Sequence, residues 1–149
     1  MFPVNKILCP IDFSEHSLEA LDNAVEMAQN LSSELVLTHI ISPIPVRPTP
    51  TQPSEFDVSG YRDTLEENSE ENMDSVIKKH IPDNVKVKKV IRSGMPAQEI
   101  DDIAEEENID LLIISTHGRT GLSHVIFGSV AEKIIRHAPC PVLTIRSKT

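Results

Sequence analysis

Short apolar runs alternate with amphipathic stretches along this chain, and the alternation predicts its elements in turn. Lys6-Ile7-Leu8-Cys9 reads as a short buried strand. After Asp12-Phe13-Ser14-Glu15, where Asp12 and Glu15 match a capping box, Leu18, Leu21, Ala24, Val25, Ala28 and Leu31 recur at spacings of three and four, the period of an amphipathic helix. Leu35 to Ile41 is a second strand, too apolar on both faces to be exposed. A second helix is predicted over about Val58 to Lys79. Its apolar stripe (Tyr61, Leu65, Met73, Val76, Ile77) is thin, and Glu66, Glu67, Glu70 and Glu71 make a solvated outer face. Val85 to Ile91 alternates partially and carries lysines, as an edge strand does. Ser93-Gly94 turns the chain, Pro96 suits the first turn of a third helix, and Ile100, Ile103 and Ala104 give that helix an inner face. Asp110 to Ser115, Gly128 to His137 and Val142 to Arg146 complete a βαβαβαβαβ pattern.

This alternation predicts an α/β fold, an open five-stranded parallel sheet with helices on both faces, because right-handed crossovers permit little else. Ligands in such sheets bind beyond the carboxyl ends of the strands where the winding reverses. An order of 3-2-1-4-5 puts that crevice between the first and fourth strands. The loops leaving them are Pro10-Ile11-Asp12 and Ser115 to Gly121.

At 149 residues the chain fits one domain spanning 1–149. Residues 42–54 hold Pro43, Pro45, Pro48, Pro50 and Pro53, which deny the segment both helix interior and sheet ladder, so it is predicted to be a loop. The net charge of -9 argues against nucleic acid as a partner. The charge is unevenly placed: from residue 116 onward Arg119, Lys133, Arg136, Arg146 and Lys148 face Glu132 alone, leaving that part at +4 and the rest at -13. No apolar run approaches the ~20 residues of a bilayer span, and Met1-Phe2-Pro3-Val4-Asn5-Lys6 lacks a signal-peptide core, which predicts a cytoplasmic protein with no membrane partner. Cys9 and Cys140 are too few for a disulfide framework and lack metal-ligand spacing; both read as small buried hydrophobes.

Candidate chemistry gathers where Leu111-Leu112-Ile113-Ile114 empties into Ser115-Thr116-His117-Gly118-Arg119-Thr120-Gly121, followed by Gly128-Ser129 at the start of the last helix. Glycines let backbone amides approach a phosphate, and a helix N-terminus presents unpaired N–H groups with the positive end of its dipole. Ser129 and Glu132 match a second capping box, which sets a carboxylate against a bound polyphosphate, while Arg119 supplies an offsetting charge or is simply solvated. The histidines lack the spacing of helical zinc ligands. No Ser-His-Asp or Cys-His arrangement and no Gly-x4-Gly-Lys-(Ser/Thr) loop occurs, so ATP turnover is expected to be slow at most and the protein is read as no enzyme.

Pro10-Ile11-Asp12-Phe13-Ser14-Glu15, Gly94-Met95-Pro96-Ala97, His117-Gly118-Arg119-Thr120-Gly121 and Gly128-Ser129-Val130-Ala131-Glu132 give the chain, over essentially its whole length, a resemblance to the universal stress protein family. Its ATP-binding members share a Gly-x-x-Gly-x9-Gly-(Ser/Thr) signature. Gly118 and Gly128-Ser129 fill the later positions here, and Ser115 replaces the first glycine, either narrowing the site or adding a hydrogen bond. The resemblance implies an adenine-nucleotide alpha hydrolase-like fold with ATP as ligand and any magnesium or manganese held through its phosphates. It puts Asp12 beside the adenosine, with N-capping as its alternative role, and counts Pro10 and Ile11 among the ATP-binding residues. Ile40 would pack near adenine and ribose, or else in the core. Ser115, His117, Gly118 and Arg119 would line the nucleotide from the fourth strand, and Gly128, Ser129 and Val130 would meet the phosphates. It also implies a homodimer through antiparallel pairing of the fifth strand, Val142, Leu143, Thr144 and Ile145, whose edge few charges protect.

The function so predicted is that of an ATP-binding regulatory module of the stress response. A nucleotide-free protein acting through dimerisation and protein contacts is the alternative, motivated by Ser115 and Glu132. A phospho-receiver domain shares the βα plan but needs an acidic cluster, where this chain has Asp12 alone and Arg92-Ser93-Gly94 after the third strand.

Overall fold

The computed structural model describes residues 3–43, 58–117 and 128–147. Five parallel strands, β1 (Lys6–Pro10), β2 (Glu34–Ile41), β3 (Val87–Ser93), β4 (Leu111–Ser115) and β5 (Val142–Ile145), form one sheet in the order β3-β2-β1-β4-β5. Between them run α1 (Glu15–Leu31), α2 (Val58–His80), α3 (Pro96–Glu106) and α4 (Ser129–His137). Because side chains alternate along a strand, the sheet feeds two cores. Ile7 and Cys9 of β1 join Leu35, Leu37, Leu111 and Ile113 beneath α1 and α2. Leu8 joins Val36, Leu112 and Ile114 beneath α3 and α4. The one polar residue fully buried in β2, Thr38, satisfies its hydroxyl by donating to the Val90 carbonyl at 2.8 Å.

Register explains where the molecule opens. β1 pairs with β2 from Lys6↔Glu34 to Pro10↔Thr38, but with β4 only at Ile7↔Leu111 and Leu8↔Leu112. Beyond that point β4 continues against β5, as far as Ser115↔Ile145. The carboxyl ends of β1 and β4 therefore part, and the predicted crevice lies between them.

Several boundaries differ from the sequence reading. β3 begins at Val87 rather than Val85, because the Val85 amide turns back to the Pro82 carbonyl at 3.1 Å, and it extends to Ser93 by pairing Arg92 and Ser93 with Ile40 and Ile41. Its lysines staple both layers to the edge: Lys88 reaches Glu107 at 2.5 Å, and Lys89 reaches Glu70 at 2.5 Å and Asp74 at 2.7 Å. Glu70 is thus an ion-pair partner, not only part of a solvated face. Cys9 is fully buried, whereas Cys140 is half-buried at the margin of the second core; both are free thiols. Of the proline-rich loop, Pro45, Pro48, Pro50 and Pro53 lie outside the described residues.

Candidate functional site

The crevice is built from the strand exits upward. Past Pro10, the Ile11 amide still donates to Thr38 O at 2.8 Å, extending the β1–β2 ladder by one residue. The chain then turns sharply, with Phe13 in the left-handed region at φ 65°, a conformation costly for a residue with a bulky side chain. His39 holds this turn from the neighbouring strand. Its Nδ1 lies 2.8 Å from Ile11 O, and a carbonyl only accepts, so Nδ1 carries the proton; the ring packs on Phe13 with centroids 4.6 Å apart. Asp12 Oδ1 accepts from the Ser14 amide at 3.0 Å, and the Ser14 hydroxyl accepts from Ser17 N at 3.2 Å. Ser14 is therefore the N-cap of α1, and the expected Asp12–Glu15 capping box does not form. The carboxylate of Asp12 shapes the turn one step before the cap.

At the other exit, Thr116 is a junction. Its amide donates to Ile145 O of β5 at 3.1 Å, and its carbonyl accepts from Gly128 N at 2.8 Å. The mouth of β4 and the tip of α4 are thereby joined by a single backbone hydrogen bond. This bond occupies the Gly128 amide. Gly128, not Ser129, is the N-cap of α4, with no side-chain cap. The first helical bond runs from Glu132 N to Gly128 O, which leaves the amides of Ser129, Val130 and Ala131 without intrahelical acceptors. With the helix frame moved by one residue, the Ser129–Glu132 box is lost as well. Glu132 instead turns along the helix to Arg136 at 3.0 Å, so it does not block the helix tip. The Ser115 hydroxyl donates to His117 O at 2.6 Å, closing its own loop. Thr116 Oγ1 lies 2.9 Å from His117 Nδ1, and the His117 ring stands 5.7 Å from that of His16.

Between the two exits lies a cavity of about 730 Å³, within the roughly 300–1,000 Å³ usual for small-molecule sites. It is lined by Pro10, Ile11 and Asp12 from β1, Ile40 from β2, Ser115 and His117 from β4, and Gly128, Ser129 and Val130 from α4. Ile40 is 9% exposed, which makes it at once a member of the second core and part of the wall. The candidates Gly118 and Arg119, with Thr120 and Gly121, lie outside the described residues. The starts of α1, α3 and α4 all face this edge of the sheet, Ser17, Pro96 and Ser129 reaching the cavity, so helix dipoles converge on it.

Sequence reasoning missed a whole wall. Leu65, Asn68, Ser69 and Asn72 of α2 also line the cavity. Their spacing of i, i+3, i+4 and i+7 was legible, but polar residues at those places in an acidic helix look like solvated surface. Phe13 and His39 were missed for a different reason: turn packing of this kind leaves no periodic mark. Among the described residues no cluster of three or more His, Cys, Asp or Glu is arranged to hold a metal.

The model of the universal stress protein family matches residues 3–146. Universal stress protein MJ0531 of Methanocaldococcus jannaschii is 34% identical over 141 residues, 95% of this chain and 81% of that one. MJ0577 of the same organism is 33% identical over 154 residues, covering 96% of this chain and 95% of its own; its solved structure superposes with a TM-score of 0.81 and covers 99% of both chains. The solved structure of universal stress protein UspA from Lactobacillus plantarum matches with a TM-score of 0.80 at 26% identity, over 98% of this chain and 100% of that one.

Proposed function

The chain belongs to the universal stress protein family, and from that premise we propose that its crevice binds an adenine nucleotide, ATP, and that occupancy regulates a cytoplasmic homodimer in the stress response. The observation that carries this reading is the junction at Thr116, which brings the β4 exit and the first-turn amides of α4, which lack intrahelical acceptors, to one side of a cavity of about 730 Å³. Ser129, Val130 and Ala131 offer backbone N–H groups, and the Ser129 hydroxyl a further donor, to a phosphate tail. Asp12, which lines the cavity just past β1, would accept from ribose hydroxyls, with Ile11 and Ile40 as the apolar surface. Gly118 and Arg119 belong to the same proposal through their place in the family signature. Asp12 is the only carboxylate among the described lining residues, so magnesium or manganese would be held through the phosphates.

The reading is regulatory rather than enzymatic: the proposed contacts bind and orient, and none sets a nucleophile beside a base. Dimerisation is assigned to the free edge of β5, where Leu143 is 37% exposed. Isothermal titration of the purified chain with ATP tests the site; saturation at one nucleotide per chain is expected, and no saturable binding at millimolar ATP rejects it. Sedimentation at micromolar concentration tests the dimer, and a monomer there removes it. The nucleotide-free alternative draws on Ser115, whose hydroxyl is tied inside its own loop. Mass spectrometry of protein isolated from cells separates the two readings, since bound ATP is recovered only under the first.

A further inference from the structure

The α2 wall changes character along its length. Met73 is fully buried, and Val76 and Ile77 pack on the core beneath α1 and α2. One turn earlier, where the same stripe passes from the sheet to the cavity, its residues become Asn68, Ser69 and Asn72. Asparagine and serine are poorer helix formers than alanine by about half a kcal/mol each, so local propensity does not favour them there. Nor do they continue the charge of their surroundings: Glu66, Glu67, Glu70 and Glu71 point elsewhere, and the cavity-lining positions of α2 carry no charge. Among the described residues, neither carboxamide makes a side-chain hydrogen bond, and both are exposed.

Position assigns a task to this neutral, hydrogen-bonding wall. The anion end of the cavity lies at β4 and α4, with β1 and then β2 beside it in the sheet. At ~4.8 Å per strand, the β2 side, over which α2 packs, lies about 10 Å from the β4 exit. A nucleotide anchored by its phosphates at α4 and passing Asp12 at β1 ends with its base at α2.

We propose that Asn68 and Asn72, one turn apart on α2, form the base-reading wall of this crevice and select adenine over guanine. The inference rests on the adenine-nucleotide reading of the site and adds the specificity determinant to it. A carboxamide presents a donor and an acceptor side by side. Adenine offers the complement, an N6 amino donor beside the N7 acceptor, whereas guanine offers O6 and N7, two acceptors that call for two donors.

Titrations of the full chain with ATP and GTP test this in the native protein and in Asn68→Ala, Asn72→Ala and the double variant. Alanine favours the helix, so folding is preserved, with far-UV circular dichroism as the check. The native protein should prefer ATP. The double variant should lose about tenfold or more in ATP affinity with GTP nearly unchanged, so that the two nucleotides bind within threefold of each other. Inorganic triphosphate should bind the native and double-variant proteins equally, because the anion end is untouched. A native preference for ATP that survives in the double variant overturns the proposal, as does equal loss of ATP and GTP or a native protein without preference. Failure of the native protein to bind any adenine nucleotide overturns the parent reading instead, and this one with it.

Discussion

Replacing Gly128 by aspartate should move stability and nucleotide affinity in opposite directions. Gly128 caps α4 with φ -65° and ψ 157°, which any L-residue adopts without strain, and no side chain serves the helix end. An aspartate at this position accepts from Val130 or Ala131 N–H. Relative to glycine such a cap stabilises by a few tenths of a kcal/mol, and its charge at the helix N-terminus adds about 0.3–1 kcal/mol. The melting temperature of Gly128→Asp should therefore rise by about 2–4 °C. Binding meets the reverse. The new carboxylate takes an amide that the phosphate tail would use, a charge-assisted hydrogen bond of about 1.5–3 kcal/mol. It also sets like charges about 4 Å apart, a repulsion of about 1 kcal/mol even at the dielectric of water. The lower figures together weaken ATP by about sixtyfold. Gly128→Ser, which caps without charge, should lose about tenfold. Thermal melts and calorimetric titration on the same preparations read both quantities. A Gly128→Asp protein that melts higher yet binds ATP within threefold of the native chain would falsify the assignment of the phosphate to the α4 amides.

Burial pushes the Cys9 thiol up to about 12 from 9.0, with the charge of Asp22 as a smaller cause. Between those pH values the unfolded chain has released a proton that the folded chain keeps, so this contribution is fully present below pH 9 and falls by ~1.4 kcal/mol per pH unit toward 12; urea midpoints measured across that range should drop more steeply for the native protein than for Cys9→Ala. Leu112→Ala empties a fully buried position in the second core and should cost about 2–5 kcal/mol, seen as a lower urea midpoint at unchanged m-value. Glu132→Gln removes an exposed pair with Arg136 and a first-turn charge of α4 and should lower stability by about 1 kcal/mol or less, read as a small drop in the urea midpoint. The same change should raise ATP affinity a few-fold at low salt, an effect that about 1 M salt, with its Debye length near 3 Å, should erase.

The fold was legible because both cores draw on strands that are nearly continuous apolar runs, and α1, α3 and α4 keep a period near 3.6. Leu35 to Ile41 is the clearest case, its alternate residues feeding opposite cores. Helix starts were less legible. In Asp12-Phe13-Ser14 and in Gly128-Ser129, two nearby residues each have capping chemistry, Asp12 and Ser14 in the one and Gly128 and Ser129 in the other, and the choice depends on which backbone turns first. Phe13 decides the one by entering the left-handed region, and the bond from Gly128 N to Thr116 O decides the other. The end of β3 was misplaced for a related reason. Arg92 and Ser93 look like loop residues, yet pairing with the long β2 draws them into the sheet.

The site divides along the same line. Asp12, Ser115 and Gly128 stood out because carboxylates, small polar residues and glycines at strand exits and helix starts have local chemistry that needs no partner to be noticed. The α2 wall had none. Asn68 and Asn72 are exposed and ordinary on an acidic helix, and only the sheet order, which lays α2 over β2, brings them to the rim of a shared cavity. His39 shows the intermediate case: periodicity placed it among buried strand residues, where it is, but not the proton on Nδ1 that fixes the Ile11 carbonyl and, through it, the turn bearing Asp12. A group whose work is done across strands leaves little trace along one. The strand-exit and helix-start residues to which we assign the phosphates are thus written locally, and the α2 residues to which we assign the choice of base come to the crevice only once the strands are laid side by side.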